Sequence, residues 1–257
     1  MIPKIIHYCW FGNSIMPSSQ KRCIKMWKSI LRDYQFVKWD EKNFDINFCN
    51  YSKEAYKNGK YAYVSDVARC KILYEHGGIY LDTDVEIYKK LDSFLNHSLF
   101  TGIEVYKEYF VTMNKLPEVD KGVFVPFFGL LSSIIGSIPG NPLINDCLNY
   151  YRSIQINNNA FKGFAIDGLL ASQAVNYGFV YEDKYQELAN NIIVYPTGVF
   201  GYADSINPDY SVSYHYNVGS WAPKTKNQEF YLFLDRYRLL QFYKRMREYK
   251  NRLFNFK

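Results

Sequence analysis

The chain has no glycine-rich phosphate cradle: neither G-x-G-x-x-G nor G-x-x-x-x-G-K-[ST] occurs in its 257 residues. That counts against the dinucleotide-binding dehydrogenases and the P-loop enzymes, whose backbones approach phosphate through such loops. Its five cysteines, Cys9, Cys23, Cys49, Cys70 and Cys147, are odd in number and show no C-x-x-C spacing. This argues against a disulfide framework and a zinc site, and fits reduced thiols in the cytosol. Long apolar runs are missing too. The most apolar stretch, Val123 to Gly136, is broken by Pro126 and Gly129 and falls short of the ~20 residues a spanning helix needs. It reads as a buried strand and loop, or as a patch meeting an apolar acceptor. No basic-then-apolar leader precedes the first strand, so the expectation is a cytoplasmic protein without a signal. Basic and aromatic residues occur together, but no RNP, zinc-finger or homeodomain pattern accompanies them, which ranks nucleic-acid binding low.

What is present begins with aromatics: 25 Tyr and 19 Phe. Such rings stack on sugars and bases, although most would fill core and amphipathic surface positions. The length suits one α/β domain, or one domain with a helical appendage. Lys4 to Trp10 reads as a strand, Ser18 to Leu31 as a helix and Gln35 to Asp40 as a second strand, a βαβ unit with ordinary connections. Asp45 to Gly59 reads as a loop and helix, Leu91 to Gly102 as a turn and strand, and Asn141-Pro142 starts a helix through Tyr151. Ser65 to His76 is a predicted helix, with Ser65 as N-cap and Gly77-Gly78 as the stop.

Ile79-Tyr80-Leu81 would then be a buried strand delivering Asp82 to its carboxyl end, where open α/β sheets bind ligands. If Ile79 to Asp84 is extended, Asp82 and Asp84 project from one face and Thr83 from the other. Two hard oxygen ligands converging in this way suit Mg²⁺ or Mn²⁺ with a diphosphate supplying further oxygens. A bare Asp-x-Asp triplet also occurs in solvated turns, so the surrounding strand and helix carry the argument. Asp66 and Arg69, three apart, share a helix face, and their bland reading is a surface ion pair.

Tyr61-Ala-Tyr-Val-Ser-Asp-Val-Ala-Arg followed by Ile72-Leu-Tyr-Glu-His-Gly-Gly-Ile-Tyr-Leu-Asp-Thr-Asp resembles the signature of glycosyltransferase family 32, and Ile2-Pro-Lys-Ile-Ile-His-Tyr-Cys-Trp-Phe-Gly resembles its first strand. The family contains bacterial capsule enzymes and eukaryotic mannosyltransferases and is related to the large glucosylating toxins. The likeness covers about the first ninety residues. It implies an α/β fold of the GT-A type with a mixed, mostly parallel central sheet, residues 1–228 forming the catalytic domain. It implies a hexosyltransferase using a nucleotide diphosphate sugar, a UDP-sugar first, with retention and a Mn²⁺ or Mg²⁺ cofactor. The acceptor would be a hydroxyl of a glycan or a lipid-linked oligosaccharide, in surface polysaccharide synthesis. By the same likeness Trp10 stacks on uracil, Asp66 and Arg69 grip sugar hydroxyls and phosphates, Asp82 meets ribose and metal-bound water, and Asp84 and His215 hold the metal. Ser220 and Trp221 would reach the β-phosphate from a lid hinged at Gly219.

Bland readings stand beside several of these. Trp10 suits a strand core, His215 suits a structural imidazole among aromatics, and Asp167, at the start of a helix running to Tyr177, suits a cap as well as the donor pocket. From Glu229 to Lys257 a basic amphipathic helix is predicted, either lying on the cytoplasmic leaflet as a peripheral membrane contact or docked on the domain. Two other functions remain open: a toxin-like effector modifying a protein, and a non-catalytic module in which Asp82 and Asp84 hold Ca²⁺ to bind glycan. A sugar-1-phosphate nucleotidyltransferase is disfavoured, because Ile2 to Gly12 lacks the glycine-rich loop with Arg and Lys it would want.

Overall fold

A computed structural model describes residues 1–105, 125, 128–155, 161, 166–201 and 209–216. Ten strands are described: β1 (Ile5–Cys9), β2 (Gln35–Trp39), β3 (Gly78–Leu81), β4 (Val85–Ile87), β5 (Leu99–Val105), β6 (Phe128–Leu130), β7 (Ile134–Ser137), β8 (Gln186–Leu188), β9 (Ile192–Tyr195) and β10 (Ser213–His215). The α-helices are α1 (Ser18–Ile30), α2 (Asn50–Lys57), α3 (Tyr61–His76), α4 (Pro142–Ser153), α5 (Ile166–Ala174) and α6 (Thr197–Phe200).

Eight strands form one mixed sheet in the order β2-β1-β3-β7-β5-β9-β8, with β6 on β5. β1, β2, β3, β5 and β9 share one direction, while β6, β7 and β8 oppose it. The expected βαβ opening is present: β1 and β2 pair in parallel, and α1 crosses between them. β1 also pairs in parallel with β3, with His7 opposite Tyr80. That register runs on to set Leu81 beside Tyr8 and Asp82 beside Cys9, at the carboxyl edge where such sheets place ligands.

Each face of the sheet covers its own apolar cluster. Tyr80 and Ile135 join the α3 and α4 side with Val67, Leu73, Ile144 and Leu148, while Leu81 and Ile134 join the α1 side with Trp27, Leu31 and Ile87. Alternation along the paired strands β3 and β7 splits these residues between the faces. The apolar segment expected over Val123 to Gly136 supplies β6 and most of β7, both fully buried.

Two local expectations are corrected. The third helix begins at Tyr61, one turn before Ser65, and Lys60 occupies the N-cap without a side-chain cap bond. Ser65 lies inside the helix and its hydroxyl donates to the Tyr61 carbonyl, the back-bonding that lets serine sit in a helix interior. The stop at Gly77-Gly78 is as expected, with φ of +64° and +94°. Asp82-Thr83-Asp84 is not a continuation of β3: the strand ends at Leu81, and Val85 N–H bonds the Asp82 carbonyl at 3.0 Å, closing a turn that leads into β4.

All five cysteines are free thiols, four of them buried. No described helix is long and apolar enough to cross a membrane. Ser220, Trp221, the Gly219 hinge and the 229–257 helix lie outside the described residues, as does the boundary between 1–228 and 229–257.

Candidate active site

Three main-chain contacts build the floor of the site, and all involve the Leu131–Ser133 bend between β6 and β7. Asp82 N–H donates to the Ser133 carbonyl at 2.9 Å, extending the β3 and β7 ladder one step beyond its last paired residues. Arg69 donates from Nη1 to the Ser132 carbonyl at 2.6 Å. Ser132 N–H in turn donates to the Asp167 carboxylate at 2.8 Å. Asp167 sits in the first turn of α5, and an ideal Cβ on Gly129 would lie 2.8 Å from its backbone, so β6 approaches that turn only with glycine there.

Arg69 is 4% exposed and fully committed. Its Nη2 meets Asp66 at 3.1 Å and Asp82 at 3.3 Å, and its guanidinium lies 4.5 Å over the Tyr80 ring. Tyr80 projects from the same strand face as Asp82 and donates its hydroxyl to Asp82 Oδ1 at 3.1 Å. One carboxylate oxygen is thus held by a cation and a phenol together, in a surrounding where charge-assisted bonds are strong.

These contacts set the ionisation of the group. Burial works against the Arg69 charge, but Asp82, Tyr80, Asp66 and Asp167 outweigh it and raise its value well above the ordinary range. Burial pushes Asp66 up to about 7; Arg69 opposes this, while Asp167 and Asp82 add to it. Burial also raises Asp82, against the pull of Arg69 and His215.

The third donor arrives from far along the chain. β10 pairs antiparallel with β4, placing His215 opposite Val85, and Tyr216 N–H bonds the Asp84 carbonyl at 3.1 Å. His215 Nε2 thereby stands 3.2 Å from Asp84 Oδ1. Burial lowers the imidazole's value, yet the bond and charge of Asp84, with Asp82 and Asp167, more than compensate and leave it raised. One donor atom each from Asp82, Asp84 and His215 lies within 4.8 Å of the others, and about a quarter of the Asp82 side chain faces solvent. The 3.2 Å between Asp84 and His215 lies within the ~3–4 Å expected between ligands around one ion with bonds of 2.0–2.1 Å. Two carboxylates with one imidazole fit Mn²⁺, and fit Mg²⁺ less well because of the nitrogen donor.

Trp10 follows β1 at the same edge; it is half-buried rather than a core residue, and its indole N–H donates to the Ser14 carbonyl at 2.9 Å. The structure thus brings together Asp66, Arg69, Asp82, Asp84, Asp167 and His215, with Trp10 on the same rim. Tyr80 and the Ser132 and Ser133 main chain were not singled out from the sequence. Tyr80 was legible in principle, two residues before Asp82 on a strand; backbone donors and acceptors carry no residue signature.

Part of the chain is similar to known glycosyltransferases. Residues 17–101 match a family model described as a glycosyltransferase sugar-binding region containing a DXD motif. An uncharacterized glycosyltransferase of Acanthamoeba polyphaga mimivirus is 34% identical over 155 residues, 56% of this chain and 53% of that protein. Inositol phosphoceramide mannosyltransferase 3 of Schizosaccharomyces pombe is 38% identical over 103 residues, 37% of this chain and 28% of that one. The chain thus spans about half the length of the first relative and just over a quarter of the second. Among solved structures, the PaToxG glycosyltransferase superposes with a TM-score of 0.46 at 18% identity, over 69% of this chain and 70% of that chain. Residues 17–101, then, are similar to the DXD-containing sugar-binding region of glycosyltransferases.

Proposed function

We propose that this protein is a metal-dependent, retaining hexosyltransferase of the GT-A type, moving a hexose from a nucleoside diphosphate sugar, a UDP-sugar first, to a hydroxyl of a glycan or lipid-linked oligosaccharide. Surface polysaccharide assembly at the cytoplasmic face is the setting we infer. The observation that carries the reading is the convergence of Asp82, Asp84 and His215 at the carboxyl edge of β3.

In this reading Asp84, in the turn just ahead of β4, and His215, on β10, hold the cation from opposite sides of the ribbon, and Asp82 completes the set. A bound Mn²⁺ or Mg²⁺ supplies neutralisation of the charge that builds on a departing diphosphate. Arg69, being buried and fully engaged, acts as a positioning residue: it fixes Asp82 and Asp66 and does not reach phosphate itself. Asp66, with a value near neutrality, can accept from or donate to a sugar hydroxyl. Trp10, on the rim, offers a ring face to the base, and Asp167 stabilises the Ser132 bend that receives Arg69. Retention, and an internal-return path in which the leaving phosphate helps deprotonate the incoming hydroxyl, follow from the family resemblance. Asp82 and Asp84 are already engaged, which disfavours the paired-carboxylate chemistry of glycoside hydrolysis.

The test is a panel of UDP- and GDP-sugars screened for Mn²⁺-dependent donor hydrolysis and transfer. One donor should be consumed, and Asp84→Asn should lower turnover roughly ten-thousandfold, the loss of several kcal/mol of leaving-group stabilisation. Near-parental turnover by that variant with metal present would refute the role.

A further inference from the structure

We propose that the outer face of α1, together with the segment 12–17 at its head, is a docking surface for an anionic lipid bilayer. From Trp10 to Arg32 the sequence contains no Asp or Glu, but it contains Lys21, Arg22, Lys25, Lys28 and Arg32. All five cations are exposed, while Gln20, Cys23, Trp27 and Leu31 are buried against the domain. Lys21, Lys25 and Lys28 are spaced four and three apart, so they fall within about 60° of one another around the helix, a single stripe roughly 10 Å long, and Arg32 follows two residues past the helix end. Among the described residues, no carboxylate pairs with these four. Lys28 lies over the Phe36 ring and Arg32 Nε donates to the Ser29 carbonyl, contacts that leave both charges uncompensated.

A cationic stripe alone would suit any polyanion. The second observation favours lipid: Ile15, just ahead of the stripe, is 86% exposed, the most exposed large hydrophobic side chain among the described residues. A bare aliphatic beside a row of lysines gains nothing from a soluble polyanion, whereas an interface offers both an apolar layer and negative headgroups. The geometry also joins this surface to the site. Ser14, next to Ile15, accepts from the Trp10 indole, and Trp10 leaves β1 at the edge where Asp82 leaves β3. With α1 lying on the bilayer and Ile15 inserted, the site rim is held at headgroup level.

The test is flotation of the full chain with vesicles of phosphatidylcholine containing 30 mol% phosphatidylserine, against phosphatidylcholine alone. Wild type should float with the anionic vesicles only, and less so as salt rises. Replacing three near-surface cations, in Lys21→Gln/Lys25→Gln/Lys28→Gln, should lower the partition coefficient about a hundredfold. Ile15→Ser should lower it further, with circular dichroism and donor hydrolysis unchanged. Wild-type flotation by the triple variant would overturn the proposal and leave the C-terminal helix as the sole anchor. Absence of wild-type flotation combined with retention on heparin would overturn it in favour of a soluble polyanion. Flotation requires no transfer chemistry, so this proposal and the transferase reading can fail independently.

Discussion

Arg69 shows why a guanidinium and not an ammonium is needed at the floor of this site. Its fork reaches Asp66, Asp82 and the Ser132 carbonyl at once while its plane lies over Tyr80. A lysine offers a point charge and cannot hold that geometry. Arg69→Lys should therefore cut turnover by a hundredfold or more through loss of Asp82 orientation, with nucleotide affinity in the absence of metal little altered; turnover and calorimetry separate the two. His7 makes a second argument at this scale. It is 2% exposed, accepts from the Trp39 indole at Nδ1 and meets the Gly77 carbonyl at Nε2. Burial lowers its value to about 4, helped by His76 and opposed by the Gly77 carbonyl. A lowered value means the folded state refuses a proton that the unfolded chain accepts. The neutral ring therefore favours folding fully above pH ~6.5, and that advantage drains away as pH falls towards 4, roughly 3 kcal/mol in total. Urea titrations at pH 7 and pH 4.5 should show this loss in wild type and a smaller one in His7→Gln.

At the scale of elements, the junction between α3 and β3 determines whether the carboxylates are presented at all. Gly78 has φ of +94°, and an ideal Cβ there would lie 2.7 Å from the Ile5 carbonyl and 2.9 Å from His7 Nε2. Gly78→Ala should destabilise the fold by more than ~2 kcal/mol, measured as a fall in the urea midpoint, since neither the dihedral nor the neighbouring strand can yield. This junction was legible in the sequence, because two glycines between a helical period and an apolar run admit few alternatives. The start of α3 was not: Ser65 looked like a cap because serine favours that position, yet packing of the Tyr61 turn extended the helix past it. The conformation of Asp82-Thr83-Asp84 was hidden for a related reason. Alternating carboxylates suit a strand and a turn equally, and the Asp82 to Val85 hydrogen bond that decides between them is made by the main chain. The roles of Ser132 and Ser133 were unreadable because their carbonyls, not their side chains, receive Arg69 and Asp82.

For the whole molecule, the reach of β10 back to β4 is the decisive contact. Asp82 and Asp84 alone would offer a cation two carboxylates, and His215 joins them through the ribbon. Mn²⁺ should raise the melting temperature of wild type, and His215→Ala should weaken Mn²⁺ affinity tenfold or more with little change in the metal-free melting temperature; thermal shift against Mn²⁺ concentration checks both. Because its partners are 131 positions apart along the chain, the 3.2 Å contact between Asp84 and His215 also sets a time order. Carboxylates made early in synthesis must wait for an imidazole made late, so a nascent chain cannot assemble the full ligand set until the ribbon zips. Occupancy by manganese would then serve as a built-in certificate of completed folding, withholding sugar activation from half-made molecules.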